Sequence, residues 1–217
     1  MLKNIAIFGT AGYASDVADI CSAIGYKNIV LLARPDEPIE TDAHLRIASE
    51  TEVTEMQKAN WDFAIGVAEP ATREAIAIRY ANFHFPNLIH PNANFGIKQR
   101  EEVINRKGTI VAPGCVFARN ISIGNFCIFN PNVTIGHDCE IGDYVSVMPA
   151  VNISGNVSIE SYAYLGVSST ILQGTPDKKL VIGEHALVGA GSVVTKPVAK
   201  KAVVTGIPAT TVKTNTQ

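Results

Sequence analysis

Ile135-Gly136-His137-Asp138-Cys139-Glu140-Ile141-Gly142-Asp143-Tyr144-Val145-Ser146-Val147 repeats one pattern every six positions: a large aliphatic residue, then a small or β-branched residue four places on. Outward from this stretch the row runs unbroken through Val111, Phe117, Ile123 and Phe129 on one side and Ile153, Ile159, Leu165 and Ile171 on the other. The companion slot holds residues such as Cys115, Cys127, Val133, Val151 and Ala163. A period of six fits neither the 3.6 of a helix nor the 2 of an ordinary strand. Three hexapeptides, about 18 residues, close one triangular coil of a β-helix, and stacked coils bury the inward row as one continuous core. After Ile171 the register slips and resumes at Ile182, Val188 and Val194, so Thr175-Pro176-Asp177-Lys178-Lys179 reads as a loop bulging from the solenoid. The β-helix is therefore placed at 111–199, with 86–110 as a junction and irregular first coil and 200–217 as a cap or tail.

Upstream the pattern changes. Residues 2–8 form a short apolar run ending in Gly9-Thr10-Ala11-Gly12, after which Val17, Ile20, Cys21 and Ile24 recur at helical spacing until Gly25. Residues 28–32 read as a second strand, 51–59 as a short helix, 61–67 as a third strand and 83–89 as a fourth. Glu69 and Pro70 open another helix, as an acid and a proline in the first turn do. An α/β domain with a short parallel, Rossmann-like sheet is expected over 1–85. Its glycine turn could face a phosphate, but only Gly9 and Gly12 of a three-glycine fingerprint are present. Arg34, followed by Asp36 and Glu37, stands where an acid would hold a ribose. NAD binding is disfavoured, while phosphate binding and a plain tight turn both stay open.

The balance of 18 basic and 20 acidic residues leaves a net charge of -2, which gives no general attraction to nucleic acid or anionic lipid. No apolar run is long enough to cross a bilayer, and the short apolar start does not resemble a secretory leader, so a cytoplasmic protein with a small soluble ligand is expected. Cys115, Cys127 and Cys139 are spaced by twelve, two faces of a three-faced coil. They should point inward from different faces as core filler rather than gather at a metal or a disulfide.

His137 is the third residue of a repeat and should lie off the core, with Asp138 directly after it. A histidine with a carboxylate to fix its tautomer can serve as a general base near neutral pH. About one coil later comes Gly155, where a backbone N–H could approach a ligand closely, as an oxyanion hole requires. Asn130, one face earlier, could add a polar contact to the same groove.

The repeat around Ile135-Gly136-His137-Asp138, the opening Ile7-Phe8-Gly9-Thr10-Ala11-Gly12, the junction Leu88-Ile89-His90-Pro91 and the closing Gly206-Ile207-Pro208-Ala209 resemble the NeuD/PglD-type left-handed β-helix sugar acetyltransferases. Within them the chain looks most like the N-acetyltransferases acting on UDP-4-amino-sugars of the bacillosamine type. The resemblance implies a homotrimer with acetyl-CoA in grooves between neighbouring solenoids and no metal. It implies His137 as base, Asp138 as its acidic partner and Gly155 as the amide facing the thioester oxygen. Gly9, Thr10, Ala11, Gly12, Tyr13, Arg34, Asp36, Gly66, Glu69, Arg73 and Asn130 are the implied substrate contacts. Ser146, Gly155, Val167, Gly189, Ala190, Gly206 and Pro208 are the implied contacts of the acetyl-CoA. Tyr13 and Arg34 depart from the histidine and aspartate such sequences often carry.

Other readings remain open. Acetylation of a sugar hydroxyl, as on sialic acid, could use the same histidine. A zinc-dependent β-helix hydratase would need three ligands, and the solenoid offers only His137 and His185. A non-catalytic nucleotide-sugar-binding scaffold would need no base.

Overall fold

In the computed structural model, which describes residues 3–37 and 45–214, the N-terminal unit is a four-stranded parallel sheet. Its strands are β1 (Asn4–Phe8), β2 (Asn28–Ala33), β3 (Arg46–Ser49) and β4 (Asp62–Ile65), in the order β3-β2-β1-β4. Both faces are covered, which is why β1 reads as a continuous apolar run rather than an alternation. Ile5 and Ile7 pack towards α1 (Gly12–Ala23), while Ala6 and Phe8 join a second cluster with Met56 of α2 (Val53–Lys58) and Ala77 of α3 (Pro70–Arg79).

The fourth strand is not 83–89, as the sequence suggested. Phe83 and Phe85 instead pack their rings against Phe63, with centroids 4.5 and 6.4 Å away. The backbone there gives the sheet a single bond, Phe63 N–H to His84 O at 2.9 Å. Pro86 has no N–H to continue a ladder, and Leu88–Ile89 pairs with Ile110–Val111, inside the solenoid. The fourth strand is instead β3, at the opposite edge beside β2, whose Arg46 and Ser49 gave little strand signal.

From residue 88 onward the chain winds as the period demands. One face stacks Leu88–Ile89, Ile110–Val111, Ile128–Phe129, Ser146–Val147, Tyr164–Leu165, Leu187–Val188 and Ala202–Thr205, all in parallel register. A second runs from Asn94–Phe95 through Thr134–Ile135 to Val193–Val194. The third stacks Ser122–Ile123, Glu140–Ile141, Val157–Ile159 and Leu180–Ile182. Residues 18 apart pair directly, as Phe129 with Val147 does. The inward row, including Val111, Phe129, Val147, Leu165 and Val188, is wholly buried.

The first coil lacks a strand on the third face and uses α4 (Gln99–Ile104) instead. The buried Gln99 amide imitates the missing backbone: it donates to Ile121 O at 2.7 Å and accepts from Ile121 N at 2.9 Å.

Each corner takes one residue in the left-handed region. Positive φ recurs every six positions from Asn120 through Phe126, Asn132, Asp138, Tyr144, Ala150, Asn156, Tyr162 and Ser168. Such a conformation costs a non-glycine residue roughly 1–2 kcal/mol, less for Asn and Asp, whose short polar side chains bond locally. The three corners meet this cost with different side chains, and that difference places the functional sites.

Candidate active site

His137 stands on the corner between the second and third faces. Its Nδ1 lies 2.7 Å from Asp138 Oδ2, and the other carboxylate oxygen accepts from Asn120 Nδ2 at 3.1 Å. The hydrogen bonds from His137 and Asn120 hold the Asp138 carboxyl below its ordinary range, with the Lys179 charge contributing. Across the coil the imidazole lies over Gly155. A Cβ there would stand 2.8 Å from both Cε1 and Nε2, so only glycine leaves the ring this place. The Gly155 carbonyl accepts from Gly174 N–H at 3.1 Å, and its own amide makes no bond among the described residues.

Thr175 and Pro176, the first two residues of the insertion, join one wall of this cleft, a role the broken period alone did not disclose. His137, Asp138, Ser154, Gly155 and Asn156 face Gln173, Gly174, Thr175 and Pro176 across an open space of about 630 Å³. Asn156 Nδ2 donates to Thr175 O, tying the loop down.

A second pocket of about 500 Å³ opens at the C-terminal end of the N-terminal sheet. Gly9, Thr10, Ala11, Tyr13, Arg34, Gly66 and Glu69 line it, as the sequence suggested, together with Glu37 and Glu50. Gly9 has φ +115°, and a Cβ on Gly66 would strike Ala14 Cα at 2.7 Å, so both glycines answer to geometry. Gly12 is the first residue of α1 and has open space around it. Of the acids that follow β2, it is Glu37 and not Asp36 that lines this pocket, where Thr10 Oγ1 donates to Glu37 Oε1. That bond is the main cause holding the Glu37 carboxyl below its ordinary range. Glu69 lines the pocket wall, but its two carboxylate oxygens cap α3 by accepting from Ala71 N and Thr72 N at 2.9 and 2.6 Å. Burial opposes its charge, yet these amides prevail and keep it below the usual range.

Three implied contacts lie elsewhere. Arg73 is 1% exposed and bolts α3 to the solenoid: its guanidinium donates to the carbonyls of Phe126 (2.7 Å), Val67 and Ala68 (3.0 Å each) and Tyr144 (2.6 Å). Ser146, wholly buried, accepts from Arg73 at 3.0 Å and donates to Ala68 O at 2.7 Å. Neither presents a free group to a ligand. The sequence did carry a hint, since Ile110 and Ile128 fill the same outward positions as Ser146, and an outward apolar residue marks a covered face. Asn130 is also buried and donates to Val147 O at 3.1 Å, outside the His137 cleft.

Of the remaining implied acetyl-CoA contacts, Val167, Gly189 and Ala190 occupy the corner between the first and second faces, and Gly206 bonds Val193 N–H beside them. A whole face separates them from His137 and Gly155. The thiols of Cys115 and Cys127 are buried, which pushes them up to about 11 and about 12. Among the described residues no three His, Cys, Asp or Glu side chains gather as a metal site, and no helix is long and apolar enough to cross a membrane.

Fold and sites together define a left-handed β-helix of hexapeptide repeats carrying a small α/β domain. Residues 4–80, the α/β domain, match the model of the PglD N-terminal domain. GDP-perosamine N-acetyltransferase of Escherichia coli O157:H7 is 42% identical over 76 residues, 35% of this chain and 34% of that protein. The chain thus spans about a third of the length of this curated relative. Among solved structures, WeeI from Acinetobacter baumannii AYE superposes with a TM-score of 0.85 at 27% identity, covering 97% of this chain and all of that one. The acetyltransferase domain of PglB from Neisseria gonorrhoeae FA1090, in complex with acetyl coenzyme A, gives 0.84 at 22% identity over 98% of this chain and 100% of its own, a likeness of fold.

Proposed function

We propose that this chain is an acetyl-CoA-dependent N-acetyltransferase acting on the amino group of a nucleotide-linked sugar. The observation that carries the reading is the His137 imidazole, fixed at Nδ1 by Asp138 and placed with its far edge over the Gly155 backbone. The amine attacks the thioester carbonyl, forming a C–N bond, and His137 Nε2 takes the proton the nitrogen sheds. The Gly155 N–H donates to the oxyanion, the C–S bond breaks, and CoA leaves as the thiol once protonated. No acyl-enzyme is needed, because an amine held in line is nucleophilic enough.

A whole face of the solenoid separates the corner of the implied acetyl-CoA contacts from the His137 corner, and the pocket at the sheet end is lined by the α/β domain alone. A complete site therefore calls for neighbouring copies, and a trimer brings the His137 corner of one against the Val167–Gly189 corner of the next. Light scattering should give three times the monomer mass, and a stable monomer would remove this arrangement.

The acceptor implied by the resemblance is a UDP-linked 4-amino-sugar of the bacillosamine type. A GDP-linked 4-amino-sugar is the second reading, favoured by the named relative and by Glu37: a carboxylate suits the paired N–H donors of guanine better than the flanking carbonyls of uracil. Release of CoA thiol, followed with UDP-, GDP- and dTDP-linked amino-sugars, distinguishes them. Turnover with one amino-sugar fixes base and acceptor together. Turnover confined to hydroxyl acceptors would replace N- by O-acetylation, and binding without turnover would leave a scaffold.

A further inference from the structure

The carboxylate behind His137 is itself held from two sides by residues outside the reacting groups. Asn120 stands one coil below Asp138, and its Nδ2 takes up Oδ1, leaving Oδ2 for the histidine. From above comes Lys179, the last residue of the inserted loop. Its Nζ donates to the Asp138 backbone carbonyl and pairs with Glu140 Oε1 at 3.3 Å. Leu180 pairs with Val157 in the next coil down, so Lys179 enters the stack two coils above Asp138 and its side chain must cross the intervening coil. At about 4.8 Å between strands, that takes most of an extended lysine. The side chain is 28% exposed although it belongs to a surface loop. Asp138 N–H also donates to Arg119 O at 3.1 Å, so the residue is pinned at both backbone groups and at one carboxylate oxygen.

Asp138 needs such pinning. It sits at φ 61°, its side chain is half exposed, and a free carboxylate there could rotate and exchange its histidine for water. A loop that merely bulged would not need a lysine aimed at the residue after the histidine.

Resting on the acetyltransferase reading, we propose that Asn120 and Lys179 are positioning residues, which fix Asp138 so that His137 keeps its proton on Nδ1 and presents an unprotonated Nε2 to the cleft. The five-residue insertion is thereby the upper half of a clamp on the base. Asn120 is the lower half.

The test is made on the full chain. Ring nitrogen shifts of His137 by ¹⁵N NMR, assigned against His137→Ala, report which nitrogen carries the proton and do not depend on turnover. Wild type should show mainly the Nδ1–H tautomer in its neutral form. Asn120→Ala and Lys179→Met should each let a substantial Nε2–H population appear, and Lys179→Arg should restore the wild-type pattern. With the best amino-sugar acceptor, the same two losses should lower kcat about 5- to 30-fold while the KM for acetyl-CoA stays within twofold. In a His137→Ala background they should lower it no further.

Unchanged nitrogen shifts in both variants would overturn the proposal, as would an equal kcat loss in the His137→Ala background. If wild type acetylates nothing while the shifts move as expected, the acetyltransferase reading fails and the clamp stands. If either variant unfolds, Asn120→Asp and Lys179→Gln carry the same comparison with smaller changes in packing.

Discussion

Two corners of the solenoid share one backbone and put it to opposite uses. Phe126, Tyr144, Tyr162 and His185 turn the chain at φ 53–63°, and Asn120, Asp138 and Asn156 turn it at 57–61°. The first set stacks its rings in one column, with centroids 5.4, 5.3 and 4.6 Å apart and planes within 7° of parallel. The second set forms polar links between coils and holds up an exposed base. Aromatic pairs contribute about 0.5–1.5 kcal/mol beyond the area they bury, which offsets part of the cost of the left-handed backbone that no aromatic prefers. At the polar corner the same offset comes from Asn and Asp, which tolerate this conformation. The aromatic corner bears on α3 and joins the two domains; the polar one stays open. Strain is thus met by packing where the chain needs rigidity and by residue choice where it needs reactivity.

The largest expected effect cuts the aromatic corner. Arg73→Ala leaves the carbonyls of Phe126, Val67 and Tyr144 without the donor they share, and each buried orphan costs about 1–3 kcal/mol. Chemical denaturation should show a loss of about 3 kcal/mol or more, and a change under about 1 kcal/mol would mean the bolt is dispensable. At the polar corner, His137→Ala should lower kcat by about 10² or more, the usual worth of a general base, with thermal stability nearly unchanged. Acetylation at undiminished rate would mean that another group takes the proton.

Gly155→Ala sharpens the contrast further. The added Cβ would meet the imidazole edge at 2.8 Å and push it off the amide, so kcat should fall about tenfold with little change in melting temperature. A wild-type rate would show that the ring need not lie over this glycine. At the third corner, Ala150 sits at φ 57° with neither aromatic stacking nor an Asx side chain. Ala150→Gly should raise stability by about 0.5–1 kcal/mol, since the relief of the left-handed backbone exceeds the glycine entropy cost. A loss on calorimetry would mean the methyl packs better than its setting suggests.

The smallest effect concerns pH. Glu69, whose carboxyl is held below the ordinary carboxylate range by the amides it caps, contributes stability that is present above that range and lost as pH falls through the depressed value. Melting temperatures of wild type and Glu69→Gln should differ above pH 5 and converge in acid. A constant gap would assign the cap to shape rather than charge.

How much of this was legible depends on whether a residue's role follows from its own repeat. The inward row was readable because every sixth position meets the same core, so the solenoid and the buried Cys115, Cys127 and Cys139 stood in the sequence. His137 beside Asp138, and Gly155 one coil on, were readable for the same reason: stacking turns a sequence interval into a spatial neighbour. Arg73 and Ser146 were not, because their partners lie across a domain boundary that no period encodes. Lys179 was hidden differently. An insertion announces that the coil is interrupted but not where the loop lies down, and here it lies against the base. Residues 83–89 misled because aromatic and aliphatic runs serve a strand and a ring-packed connector equally well.

The upper end of the stack has a consequence for self-association. Thr210–Thr214 folds back antiparallel on Ala202–Thr205, Val193 is bracketed by bonds to Gly206 and Ala209, and Val198 N–H closes on Val181 O. A parallel coil left open would offer a ready template to the next molecule, as the growing tip of an amyloid fibril does. Reversing one strand and bridging the other two faces breaks that parallel template at this end of the stack.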